Sequence, residues 1–127
     1  MTLLWSAGAG ADQGYWVGVA GEIESTLGQA LARYRDHDSN AAKRLITKAY
    51  FGLFEGRKME AAMRMEQGAR HTFKVERRFG ELRKAIKRGE APGQLSERID
   101  ELVDRLREDA AALDRAGITP EVFRTGQ

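Results

Sequence analysis

Apolar positions recur along this chain at helical spacing, in four blocks separated by short polar breaks. In the first block Trp16, Ala20, Ile23, Leu27, Ala30 and Tyr34 alternate steps of four and three. That is the spacing of a bundle seam, and it predicts a helix over 13–36. Ala42, Leu45, Ile46, Ala49 and Leu53 predict a second helix over 40–54. Tyr50, Phe51 and Phe54 widen its stripe until the last two turns are apolar nearly all round, a pattern that calls for deep burial or cover by another element. Met65, Thr72, Val75, Phe79, Leu82 and Ile86, with Ala69 and Phe73 alongside, predict a long third helix over 57–88. Leu95, Ile99, Leu102, Leu106, Ala110 and Leu113 form a narrow seam that predicts a fourth over 94–116.

The breaks carry stop and start chemistry. Arg35-Asp36-His37-Asp38-Ser39 is a solvated turn in which Asp38 or Ser39 caps the second helix. Gly56 separates the second helix from the third, and Gly89 ends the third behind Lys84, Lys87 and Arg88, which suit its C-terminal dipole. Glu90-Ala91-Pro92-Gly93 reads as a loop. Gly117, with Ile118 able to pack back on Leu113, predicts a Schellman stop. Thr119-Pro120-Glu121 then reads as the start of another helix. Gly14, Gly18, Gly21 and Gly28 are many for one helix and point to close approach by a neighbour. Four stripes joined by short loops predict an all-α fold, an antiparallel up-down four-helix bundle with a long third helix.

With 127 residues the chain is expected to form one domain, and 42% apolar against 31% charged residues excludes a disordered composition. A net charge of +2 is too small to imply a nucleic-acid partner. The absence of cysteine excludes disulfides, thiolate metal sites and cysteine nucleophiles. No apolar run reaches the ~20 residues of a membrane span. Leu3-Leu4-Trp5 followed by Ser6 to Ala11 resembles the end of a signal peptide. The expected organisation is therefore a tail or signal-peptide remnant over 1–12, a helical domain over 13–118, and the start of a linker or helix over 119–127.

Candidate chemistry is confined to inward carboxylates, which in helical bundles make sites for hard or borderline metals. Glu76 falls inside the third helix's apolar stripe, and Glu24 lies at the edge of the first seam, while Glu22 points to solvent. Glu55 is placed by the break at Gly56, and Glu60 and His71 fall on the face opposite the stripe. A carboxylate inside the stripe must be paired, protonated or metal-bound. An arginine, Tyr34 or Tyr50 are its candidate protein partners; otherwise Glu76, with Glu24 or Glu55, makes a weak oxygen-rich metal site. Neither His37 nor His71 follows a glutamate at Glu-x-x-His spacing, so di-iron oxidase chemistry is not expected. No phosphate loop and no nucleophile–base set stands out, and the chain is not expected to be an enzyme. Met59, Met63 and Met65 are adaptable filler in this context. The basic segment Arg70 to Arg88 is diluted by acids and reads as a solvated face.

Ala49-Tyr50-Phe51-x-x-Phe54-Glu55-Gly56-x-x-Met59-Glu60, followed by Val75-Glu76-x-x-Phe79-x-x-Leu82-Arg83, resembles the extracytoplasmic N-terminal domain of bacterial high-affinity iron permeases. The resemblance covers roughly 13–118. It implies a periplasmic helical domain, attached to the inner membrane in the full-length protein, that receives or relays iron to a transmembrane permease domain of the same chain. A periplasmic iron-binding protein is the implied donor, iron or a surrogate divalent ion the cargo, and no cofactor is held tightly. Glu55 and Glu76 match acidic positions of that pattern, Glu60 matches less firmly, and Tyr50 is a supporting residue. The Arg-Glu-x-x-Glu motif of the family's membrane helices does not occur here. The alternative is an all-helical interaction module whose basic third helix contacts a protein, lipid or nucleic-acid partner.

Overall fold

The structure, a computed structural model, describes residues 14–123. The described residues are all-α: α1 (Tyr15–Arg35), α2 (Ser39–Thr47) continuing as a π-helix (Lys48–Glu55), α3 (Met59–Gln67), α4 (Ala69–Arg88), α5 (Pro92–Arg115) and a 3-10 turn, Pro120–Phe123. The expected signal-peptide remnant lies outside the described residues, as does the end of the segment expected after Thr119, whose described part is the single 3-10 turn.

One core unites the four predicted stripes. Trp16, Ile23 and Leu27 of α1, Ile46 of α2, Phe54 of the π-helix, and Leu95, Leu102, Leu106 and Leu113 of α5 are all buried. The α1–α5 pair is fastened at both ends. The Asp114 carboxylate accepts from the free N–H groups of Trp16 (3.0 Å) and Val17 (3.1 Å), so α5 caps the N-terminus of α1. The indole Nε1 of Trp16 donates to the Ile118 carbonyl at 2.7 Å. At the other end, the Tyr34 hydroxyl donates to the Glu90 carbonyl at 2.6 Å. Residues that ascend in α1 meet residues that descend toward α5's start, so the two helices run antiparallel.

The predicted stops hold. Asp38 caps α2 by accepting from the Ala41 N–H at 3.0 Å. Gly89 and Gly117 adopt left-handed φ of 73° and 74°, and the N–H groups of Glu90 and Ile118 reach back to the carbonyls of Ala85 and Leu113. Two boundaries differ. Pro92 is the first residue of α5 rather than part of a loop, because its locked φ and missing N–H suit that position. The long third helix is two helices, interrupted at Gly68 with φ 94° and ψ 158°. Only a glycine takes that conformation cheaply. Helical phase is lost across it, so the stripe of α4 does not extrapolate backwards: Met59 and Met63 are buried while Met65 is 54% exposed.

Two further expectations are overturned. Phe51 is 56% exposed despite the apolar surround of its segment. The glycines of α1 serve no close approach, since a Cβ at Gly18, Gly21 or Gly28 would meet nothing within 4 Å. These glycines therefore cost helix stability without a packing return. Leu102→Ala should lower stability by roughly 2–5 kcal/mol, and Gly28→Ala should raise it by about 0.5–1 kcal/mol. Urea denaturation of the two variants beside the parent chain measures both signs.

Candidate functional site

The site begins with the π-helix. The Gly56 N–H bonds the Phe51 carbonyl at 3.0 Å, five residues back. In an α-helix, residues five apart point about 140° away from each other. Closing the turn over five residues instead stacks them, and Glu55 thereby comes over Tyr50 on one face. Burial first, then the hydrogen-bonding contact with Glu55, then the nearby charges of Glu76, Glu55 and Glu60, raise the Tyr50 phenol well above its ordinary value. Gly56 is required for this exit. A Cβ there would lie 2.3 Å from the Gly52 carbonyl oxygen and 3.0 Å from that of Phe51. Lys58, with a left-handed φ of 72°, then turns the chain into α3 and places Glu60 in its first turn.

The interruption at Gly68 lets α3 fold against α4, and the two helices present Glu60 and Glu76 to each other. Their side chains are 17% and 19% exposed. Arg64, one turn after Glu60, reaches Glu60 at 3.1 Å and Glu76 at 3.3 Å. The Glu76 carboxyl is nevertheless pushed up to about 7, first by its hydrogen-bonding contact with Glu60, then by burial and the Glu60 charge, against the opposing pull of Arg64. A charge on Glu76 would face the neighbouring Glu60 carboxyl, and that opposes its ionisation. Phe79 backs the site, its ring centroid 5.3 Å from Tyr50 and 5.2 Å from Phe54. A cavity of about 230 Å³ opens beside it, bounded by Ile46, Tyr50, Phe51, Glu76, Phe79 and Arg83.

Four of the five residues singled out from sequence therefore meet: Tyr50, Glu55, Glu60 and Glu76. Glu24 does not join them. It forms an ion pair with Arg107, because the edge of the α1 seam faces α5. Glu22, expected in solvent, takes Arg57 in a two-pronged pair at 3.0 and 2.8 Å. Tyr34 is likewise no partner of Glu76, since its hydroxyl is used at Glu90. Glu60, placed by periodicity on the opposite face, is brought round by the break at Gly68. The three carboxylates do not close on a common point: among the described residues no three His, Cys, Asp or Glu side chains are arranged as a metal cage.

Sequence reasoning missed Arg64, for which the i,i+4 spacing from Glu60 was the available signal. It also missed a second inward acid. Asp109 is buried on α5, its Oδ1 2.9 Å from His71 Nε2, and its other oxygen has no hydrogen-bond partner. Burial raises its pKa and His71 opposes the rise. His71 thus faces α5 rather than solvent. The strict alternation Leu95, Ile99, Leu102, Leu106, Asp109, Leu113 places Asp109 in the seam, so the signal was present.

Two outcomes follow for stability. Gly56→Ala should destabilise the chain by roughly 1–3 kcal/mol, since the clash is with backbone that cannot swing away. Thermal melting beside Gly28→Ala, which meets open space, isolates the steric cost. Glu76 titrates in the ordinary carboxylate range when unfolded and at about 7 when folded. Its proton-dependent stability is fully present below the unfolded value and is lost as pH rises through about 7. Glu76→Gln keeps a proton-bearing group at all pH values. It should melt above the parent chain at about pH 8, with the difference closing toward about pH 5.

No protein-family model, curated protein or solved structure matches this chain.

Proposed function

We propose that this chain is the extracytoplasmic helical domain of an iron-uptake permease, and that the Glu60–Glu76 pair, with Glu55 and Tyr50 beside it, receives iron or a surrogate divalent ion and passes it to a transmembrane permease domain. The observation that carries this reading is that Glu60 and Glu76, both largely covered, face each other within reach of one arginine, Arg64, while the Glu76 carboxyl holds its proton up to about 7. A cation entering between them replaces that proton and relieves the repulsion. All donors are oxygens, which hard ions accept, and no thiol competes. Arg64 already supplies part of the missing positive charge through a half-exposed side chain, so it can leave as a cation arrives. Weak, oxygen-only binding suits a relay, because the ion must also depart.

The sequence resemblance supports the same reading, since the residues that carry it are the ones that converge. A periplasmic iron-binding protein is the proposed donor and the inner membrane the proposed anchor. No catalysis and no nucleic-acid binding are part of this reading. For the framework we propose the up-down four-helix arrangement, with α1, α2 and its π extension, α4 and α5 as the four arms and α3 laid across one end. The antiparallel register of α1 against α5 supports it.

Titration calorimetry of the metal-free chain with iron(II), manganese or zinc tests the site. Binding should strengthen between about pH 6 and pH 8 as the Glu76 carboxyl loses its proton, and Glu76→Gln should weaken it by about tenfold or more. Unchanged binding in a folded Glu76→Gln variant overturns the assignment.

A further inference from the structure

A groove of about 630 Å³ runs between α2 and α4 beside the acid cluster. Lys43, Arg44 and Lys48 line it from the α2 side, the last at the start of the π-helix, and Arg83 and Lys87 from α4, with Asn40 and Thr47 as neutral donors. No carboxylate lines it. Among the described residues, none of its five cations lies within ion-pair distance of an acid. This sets them apart from Arg57, Arg64, Arg88, Arg98 and Arg107, each of which is paired. Five like charges in one groove repel one another and lower the cost of bringing an anion in.

The groove is continuous with the site already described. Thr47 and Arg83 line both it and the cavity that Glu76 also lines. One surface therefore carries positive charge at one end and the Glu76 carboxyl, with Glu60 behind it, at the other. We propose that the groove binds a small chelating anion bearing several clustered oxyanion groups, a polycarboxylate or an oligophosphate, so that the metal ion reaches Glu60 and Glu76 as an anionic complex. The delivery half rests on the reading of the acid cluster as a cation site; the anion-binding half does not. A small anion fits better than a long one. The groove has the volume of a small-molecule site. A polymer extended along it would run onto the acids around Glu76. An anionic complex needs such a landing place, because the acid cluster alone would repel it.

Calorimetry with citrate and with pyrophosphate, each without metal, tests the groove, with acetate as the singly charged control. At low ionic strength at least one of the two should bind, acetate should not, and affinity should fall steeply with added salt. Lys43→Ala/Lys87→Ala, neither a core residue, should weaken binding by about tenfold while circular dichroism stays unchanged. Glu76→Gln should leave anion binding intact or strengthen it. Which of the two anions binds more tightly tells carboxylate from phosphate chemistry. No binding of either anion, or equal binding by the double variant, overturns the proposal even where the bare metal still binds at Glu76. Binding to anionic phospholipid vesicles or to single-stranded DNA that depends on Lys43 and Lys87, without small-anion binding, also overturns it and assigns the groove to a macromolecular surface. Groove-dependent anion binding combined with metal uptake indifferent to Glu76→Gln upholds the anion site, overturns the delivery half and sinks the assignment of the acid cluster.

Discussion

Two carboxylates held in contact cannot both stay charged without a third partner. That constraint organises the unusual half of this molecule. Glu60 and Glu76 meet across α3 and α4, and the Glu76 carboxyl keeps its proton up to about 7. Arg64 lies within ion-pair distance of both and reduces the repulsion without abolishing the shift. Glu55 approaches from the π-helix and adds to the crowding of negative charge, which keeps the neighbouring Tyr50 phenol protonated. Every local irregularity in this region serves the encounter. The π-helix aims Glu55, the bare Cα of Gly56 allows the chain to leave, and Gly68 turns α3 back on α4. Regular helices through 40–88 would have packed a simpler core and kept these groups apart.

The regular half was legible. The alternation of fours and threes in α1 and α5 places the buried residues correctly, because those helices run unbroken and each faces one core. The caps at Asp38, Gly89 and Gly117 were equally plain, since each rests on chemistry within a few residues. What periodicity could not supply was phase across a discontinuity. At Gly68 the angle between successive stripes is reset, so Met65 and Glu60 were assigned to the wrong faces while Val75 and Phe79 were right. The same rule of 100° per residue fails within Lys48–Glu55, where the turn is wider. Tyr50 and Glu55 look divergent on an α-helical wheel and stack in the π form. Glu24 was misjudged differently: its edge position was right, but whether an edge acid meets a metal or an arginine depends on the opposing helix. Four of the five candidate residues lie near one another because the π turn ending at Gly56 and the break at Gly68 bring them round, and a helical wheel shows neither.

The small net charge of the chain conceals a strong internal separation. Positive side chains gather between α2 and α4, and negative ones gather where the π-helix, α3 and α4 meet. The basic groove adjoins the cavity lined by Glu76, with Arg83 and Thr47 common to the two. At several helix contacts charge is instead neutralised locally. Glu90, for example, is held at about 2 by Arg98 and Arg88 at the α4–α5 turn. The contrast is physically informative, because paired charges hold the helices in register while unpaired ones remain available to a ligand. Asp109 and His71 form a third kind of contact, a part-buried pair between α4 and α5.

The cap that Asp114 provides for α1 has a mechanical consequence. Trp16 and Val17 are held by Asp114, and the indole by Ile118, so both ends of the described chain meet at one pole. Because α1 and α5 run antiparallel, tension applied between these ends does not shear the pair along its length. It loads the contact at Asp114 first, then the Glu24–Arg107 pair, and last the Tyr34–Glu90 bond at the far pole. Bonds broken one after another resist far less force than bonds broken together. A pull on its two ends would unzip this domain from the Trp16 pole, leaving the acid cluster, whose residues all lie between Tyr50 and Glu76, outside the first rupture.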